Sequence, residues 1–228
     1  CRAYSELGKF DKLLERSKYS TYISAASTPP YSFLSRFTKV IKEEFIYKPV
    51  PNIKLFKPSP LVEKKYIVSA GSFLPRKNQL RIAELIDPGA RDGHNIVFCG
   101  KIKSRPYLNK VESTLRSRGI KYLIPNSKTE SILSAYGPGY LEHQELAEIY
   151  GKSCCFLMMS SSDGNPRALI ESILSGVPFI ISKNLSINSE YEKFGIRSDF
   201  ELLNDNLKQI LNKFNMPNIT EDFRFKHD

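Results

Sequence analysis

Tryptophan is absent from the 228 residues, and histidine occurs only three times, at His94, His143 and His227. Histidines so scattered offer no visible ligand set and no catalytic cluster. The four cysteines (Cys1, Cys99, Cys154, Cys155) have no metal-ligand spacing, which argues against a zinc module. Three of them fall in segments predicted to be buried strands, so they read as reduced core residues of a cytoplasmic protein. No apolar run approaches the roughly 18 residues of a membrane span. Internal repeats and low-complexity tracts are missing as well. The chain also lacks an initial methionine, and the residues after Cys1 are too charged for a signal peptide. The expectation is a piece of a longer polypeptide. A lipid-modified Cys1 fits less well, because no Ser/Gly-rich tether follows it.

Charge is abundant but undirected. The net charge is +10, from 34 Lys and Arg against 24 Asp and Glu. A dense basic run interleaved with aromatics would point to nucleic acid, and none occurs, so no nucleic-acid partner is expected. Residues 1–60 hold 11 basic and 5 acidic side chains, which makes this the most basic part. Weak peripheral attraction to an anionic membrane face or an acidic acceptor is one reading; a lysine-rich solvated surface is the other. With 41% hydrophobic and 25% charged residues the composition is that of a soluble globular protein.

Chemistry concentrates between Cys154 and Ser182, CCFLMMSSSDGNPRALIESILSGVPFIIS. Cys154–Met159 is an apolar run of strand length, as in a parallel strand buried on both faces. Ser160–Gly164 is turn chemistry. Asn165 suits an N-cap and Pro166 the first helical position. The predicted helix carries Ala168, Leu169, Ile170, Ile173 and Leu174, Gly176 ends it, and Val177–Ile181 forms the next strand. Arg167 then sits in a first helical turn, where the macrodipole disfavours a cation by about 0.3–1 kcal/mol. Asp163 and Glu171, with seven residues between them, bracket the helix start. From the residues alone two readings stand. Either this is an anion-binding helix N-terminus, or Asp163 forms a turn and Arg167–Glu171 is a surface i,i+4 pair.

A second loop, Gly71-Ser72-Phe73-Leu74-Pro75-Arg76-Lys77-Asn78, again places cations at the start of a predicted helix, from about Arg76 to Ile86. An anion shared by that helix end and Lys77 would turn a penalty into binding; a solvated pair is the alternative. Gly100 ends a predicted strand at the same edge and reads as a close approach to a ligand or as a plain tight turn. Tyr140 and Leu141 precede a helix predicted over Gln144–Tyr150, and His143 suits a helix cap.

Residues 1–58 read as a helix over 1–18, a strand over 19–26, a helix over 31–44 and an extended, proline-bearing stretch over 46–56. They are too few for a core of their own. Residues 59–214 alternate strands and helices: strands at 66–70, 95–99, 120–124, 154–159 and 177–181, helices at 76–86, 107–118, 144–150, 166–175, 187–194 and 200–214. This predicts an α/β doubly wound parallel sheet. Residues 215–228 show no pattern and read as an irregular tail.

The acidic–Gly–x–Pro–x–x–x–x–Glu pattern, followed by Ser175-Gly-Val-Pro178 and an apolar strand, resembles the E-x7-E signature of family 4 glycosyltransferases, which are retaining enzymes of the GT-B fold. Asp163 stands where that family has Glu. The 71–78 loop is similar to the family's Gly-Arg-x-x-x-x-Lys loop, with Lys77 matching the lysine and Ser72 in place of the arginine. The Pro51-Asn52 connection and the stretch from Tyr140 to Leu146 also resemble it. The resemblance implies a Rossmann-like, GT-B carboxyl-terminal domain that binds a nucleotide-diphosphate sugar, with a partial amino-terminal domain remnant. It implies that Lys77 neutralises the leaving diphosphate, that Asp163 positions the sugar, and that Glu171 holds the ribose, these three being the catalytic set. Gly71, Ser72, Arg76, Gly100, Tyr140, Leu141, Gly164, Asn165, Pro166, Arg167 and Ala168 complete the implied donor site. No metal or further cofactor is implied. The acceptor would be a carbohydrate, lipid-linked or protein hydroxyl. A nucleotide-sugar epimerase and an inactive nucleotide-sugar-binding protein remain the alternatives.

Overall fold

The computed structural model describes residues 23–25, 43–45, 49–125, 140–163, 166–185 and 187–228. The predicted helix over 1–18 and the polar loop before Tyr140 lie outside these residues, as do Gly164 and Asn165. Near the start, β1 (Ile23–Ala25) pairs in parallel with β2 (Glu43–Phe45). A helix was expected as far as Glu44. Instead Glu43 and Glu44 sit opposite Ile23 and Ser24 in a strand ladder, where pairing overrides the local helical pattern.

The remaining elements in chain order are β3 (Tyr66–Ala70), α1 (Gln79–Leu85), β4 (Asn95–Cys99), α2 (Arg105–Ser117), β5 (Tyr122–Leu123) and α3 (His143–Gly151). They continue with β6 (Ser153–Met158), α4 (Arg167–Leu174), β7 (Phe179–Ser182), β8 (Gly195–Ser198), α5 (Leu203–Lys213) and α6 (Glu221–Phe225). Strands β3 to β8 form one parallel six-stranded sheet in the order β5-β4-β3-β6-β7-β8. The doubly wound α/β expectation is therefore met.

Strand periodicity explains why the sheet is buried on both sides. Val68, Val97, Phe156, Phe179 and Ile181 join one apolar cluster, with Leu169, Ile170, Ile173 and Leu174 of α4. Their neighbours Ile67, Ile96, Phe98, Cys155, Leu157 and Ile180 join the other, with residues of α1, α2 and α5. Successive side chains point to opposite faces, so a strand covered by helices on both sides must be apolar throughout. Cys99 and Cys155 are buried as expected, whereas Cys154 is only partly buried and gives its thiol hydrogen to the Tyr66 carbonyl at 3.1 Å. Burial pushes the Cys99 and Cys154 thiols up to about 12, which keeps them protonated and inert.

Several boundaries differ from expectation for identifiable reasons. Arg76 and Lys77 do not open a helix: they occupy a 3₁₀ turn, Pro75–Lys77, separated from α1 by Asn78 in the left-handed region (φ 57°). Pro166 is the N-cap of α4 with extended geometry, and Arg167 is the first helical residue. The glycine stop of α4 is as expected. Gly176 (φ 72°) donates to Ile173 O at 2.8 Å and Val177 N to Ser172 O at 2.9 Å, the paired bonds of a Schellman ending. β8 was not expected, because Gly195-Ile-Arg-Ser carries too little apolar signal; only its pairing with β7 defines it.

The tail expected to be irregular is an anchor. Thr220 caps α6 by accepting from Phe223 N at 3.2 Å. Phe223 is buried against Tyr191, Phe194 and the His227 ring, with centroids 5.0–5.8 Å away. Arg224 donates to Phe56 O at 2.9 Å and Leu174 O at 3.0 Å, and Val50 N donates to His227 O at 2.9 Å. The carboxyl terminus thereby clamps residues 49–56 onto the sheet domain. Short polar segments of this kind carry no legible periodicity, since one buried aromatic does the docking. Phe223→Ala is expected to lower unfolding free energy by about 3–5 kcal/mol in urea titration; a loss below about 1 kcal/mol would show that the tail is not part of the core.

Candidate functional site

β3 and β6 are neighbours in the sheet, yet the chain leaves β3 toward β4 and β6 toward β7. Ligands of doubly wound sheets bind in the crevice outside such a switch point. Here the loops that follow the two strands are stitched together. Ser161 N donates to Arg76 O at 2.9 Å, Asn78 Nδ2 to Met159 O at 2.7 Å, and Arg76 Nη1 to Ser162 O at 3.1 Å. Lys77 Nζ and the Asp163 carboxylate form an ion pair whose side chains are only 11% and 18% exposed. The loop after β3 is also fixed to the end of β4, with Gly71 N donating to Cys99 O and Phe73 N to Lys101 O at 2.8 and 2.9 Å.

This last contact gives Gly100 a reason that neither sequence reading supplied. A Cβ built there would stand 2.3 Å from Gly71 O, and φ is 142°. Glycine is demanded by the neighbouring backbone of the same protein, so a simple tight turn does not account for it.

Beside the switch point lies an open cavity of about 290 Å³. Ala70, Gly71 and Ser72 line it from β3, and Cys99, Gly100 and Lys101 from β4. Tyr140, Leu141, His143 and Leu146 line it from the start of α3, and Arg167, Ala168 and Glu171 from α4. Eight expected site residues are thus brought together: Gly71, Ser72, Gly100, Tyr140, Leu141, Arg167, Ala168 and Glu171. Arg76, Lys77, Asp163 and Pro166 are not on its wall. The first three hold the two loops to each other, and Pro166 starts α4. Lys77 still lies close, its side-chain carbons 3.6 Å from where a Gly71 Cβ would be.

Glu171 is the unusual group. It is 6% exposed, and among the described residues no hydrogen bond or ion pair engages its carboxylate. The reading of Arg167–Glu171 as a surface pair is therefore wrong, because α4 turns its Glu171 face inward onto the cavity. Burial raises the carboxyl from 4.5 to about 7, with Arg167 pulling the other way. A carboxylate in this state has the capacity to accept from two hydroxyl groups.

Ala70, Cys99, Lys101, His143 and Leu146 were missed as wall residues. Lys101 had a usable signal, since it follows Gly100 at the same strand end. His143 looked like a cap, but Glu142 is the N-cap, in a reciprocal capping box with Glu145. His143 is instead a cavity residue whose Nδ1 lies 2.9 Å from Asn52 Nδ2, with its ring edge-on to Phe56.

No family model and no curated protein matches the sequence. The structure does have relatives. Sucrose-phosphate synthase from Thermosynechococcus elongatus aligns with a TM-score of 0.64 and 16% identity, over 90% of this chain and 53% of that one. Anabaena HepE, solved in complex with UDP and glucose, gives 0.61 and 12% over 86% and 55%. The fold is that of a GT-B glycosyltransferase carboxyl-terminal domain. The carboxyl-terminal domain of LpcC from Francisella tularensis, a group 1 glycosyl transferase, matches over 92% of its length, at 0.52 and 14% identity. This chain spans about half the length of the first two relatives.

The pH dependence of folding should report Glu171 directly. Its folded carboxyl titrates near 7 and its unfolded one near 4.5, so unfolding releases a proton between those values. Stability then falls as pH rises through that window, by roughly 3 kcal/mol, and levels off above it. Glu171→Gln is expected to remove this slope: equal to the parent near pH 4, more stable by that amount at pH 8, in thermal or urea melts. Gly100→Ala is expected to cost more than about 2 kcal/mol by the same melts, because the clash is with backbone.

Proposed function

We propose that this chain supplies the donor site of a retaining glycosyltransferase, which moves a sugar from a nucleotide-diphosphate sugar to a hydroxyl acceptor. The observation that carries the reading is Glu171, a buried carboxylate without a partner among the described residues, opening on a cavity at the carboxyl edge of a doubly wound sheet. A cis-diol such as that of ribose would supply the two hydroxyl donors this group lacks. Arg167 on α4 and Lys101 at the end of β4, both without a hydrogen-bond or ion-pair partner among the described residues, would meet the diphosphate. A relative solved with UDP and glucose supports a nucleotide-sugar ligand.

In this reading the Lys77–Asp163 pair opens when the donor binds. A diphosphate offers Lys77 a denser negative charge than one carboxylate does. Lys77 would turn to it and stabilise the charge that builds on the leaving group, aided by the loop at Gly164 and Asn165. Asp163, released, would face the sugar. Ser72 contributes no cation, and Arg76, committed to Ser162 O, does not replace one. Retention, membership of family 4, and an acceptor site on an amino-terminal domain belong to the same proposal. So do a cytoplasmic setting and peripheral membrane contact; among the described residues no helix is long and apolar enough to cross a membrane. A catalytically silent nucleotide-sugar binder is the second reading, favoured by Ser72 and by the mutual neutralisation of Lys77 and Asp163.

Titration calorimetry with UDP, GDP and ADP tests the site. Binding of at least one is expected, with Glu171→Ala weakening it tenfold to about a hundredfold. Affinity should rise as pH passes through about 7, where Glu171 ionises. Equal affinity for parent and Glu171→Ala would refute the assignment. Because this reading places the acceptor site on an amino-terminal domain, this chain is expected to bind donor without turning it over; donor hydrolysis or transfer by it at rates typical of full enzymes would contradict that.

A further inference from the structure

The Asn52–His143 contact is not used by the reading above, yet it orients a ring on the cavity wall. Asn52 adopts the left-handed conformation (φ 57°, ψ 38°) just before the 3₁₀ turn Ile53–Leu55. From there its Nδ2 approaches His143 Nδ1 at 2.9 Å. An amide nitrogen only donates, so Nδ1 must accept, and the neutral ring then carries its proton on Nε2. Phe56 packs edge-on against the imidazole at 6.2 Å and limits its rotation. Nε2 has no partner among the described residues, and the ring lines the cavity. The tautomer of a cavity donor is thus set from outside the cavity, by the connection that enters the domain.

The rest of that wall indicates which part of a ligand would come there. Leu146 lies one turn further along α3, and Leu141 just precedes the helix. Apolar surface with a polar edge suits a flat ring, whereas the charged groups stand elsewhere on the wall, Arg167 and Glu171 on α4 and Lys101 at the end of β4. We infer that His143 reads the nucleobase: its Nε2–H donates to a keto oxygen, so the site takes uracil or guanine in preference to cytosine or adenine. Uracil and guanine present an acceptor at the position where cytosine and adenine present an amino group. Asn52 is the positioning residue that fixes the donor tautomer. This rests on the cavity being the nucleotide site.

The test compares two ligand pairs in which size is held constant, UDP against CDP and GDP against ADP, by calorimetry at pH 8. The keto member of the pair that fits the cavity should bind roughly fivefold to tenfold tighter. His143→Phe, which keeps a ring against Phe56, should abolish that difference, and so should His143→Gln, whose amide can turn over to donate to a keto oxygen or accept from an amino group. In ¹⁵N-labelled protein His143 should show a protonated Nε2 and a bare Nδ1, and Asn52→Ala should mix the tautomers while halving or erasing the keto preference. Preference for the amino bases, an Nδ1-protonated ring, or a keto preference unchanged in His143→Phe overturns the inference and leaves the nucleotide site standing. Failure of all four nucleotides to bind the parent protein removes both.

Discussion

The placement of β3 beside β6 is the constraint from which the site follows. Adjacent parallel strands whose chains depart in opposite directions leave a gap that no crossover helix fills. The two loops bordering the gap must satisfy each other's polar groups, and they do so through Arg76 O, Met159 O and Ser162 O. Lys77 and Asp163 complete the seam with opposite charges. The cavity opens beside this seam, on the face covered by α3 and α4. Its floor is backbone at Gly71 and Gly100, which approach too closely for a Cβ at Gly100. A ligand there would meet a rigid surface, since strand ends and helix starts on four elements hold it.

Charge and stability pull against each other at this place. Glu171 costs the fold free energy when it ionises, because it is buried, and the α4 dipole disfavours Arg167 at the same helix start. Proteins usually carry such penalties where a ligand relieves them. The contrast with the rest of α4 is instructive. Leu169, Ile170, Ile173 and Leu174 are fully buried in ordinary apolar packing, and Ser172 and Ser175 satisfy themselves on carbonyls one turn back. Only the groups that face the cavity are left with unmet electrostatics. The clamp formed by Arg224 and His227 on residues 49–56 then fixes Asn52 relative to α3, so the connection into the domain is part of the site's outer shell.

Much of this was legible beforehand because strong patterns are local. Continuous apolar runs identified β3, β4, β6 and most of β7. The Asp163–Glu171 spacing pointed to α4, three of whose residues line the cavity. Other features were not legible, for physical reasons. The 3₁₀ turn at Pro75–Lys77 arises from Asn78 adopting a left-handed conformation, whose side chain is held by Met159 O from a distant loop. β8 exists because β7 offers an open edge. The role of His143 depends on Asn52, 91 residues away, and no spacing rule connects them. The anchoring tail was overlooked because it docks through one aromatic, not through a periodic face.

By itself the amino-acid order determined the alternation of apolar strands and amphipathic helices, and therefore a doubly wound parallel sheet, along with the helix that carries Arg167 and Glu171. These depend on side-chain period and local capping, which need no knowledge of distant residues. Tertiary structure alone decided that Glu171 faces inward without a partner among the described residues, that Lys77 and Asp163 spend their charges on each other, and that His143 Nδ1 lies against Asn52 beside the cavity. Each of these depends on which group lies opposite across a fold, and that is set by strand order and loop contact, not by the neighbours in the chain.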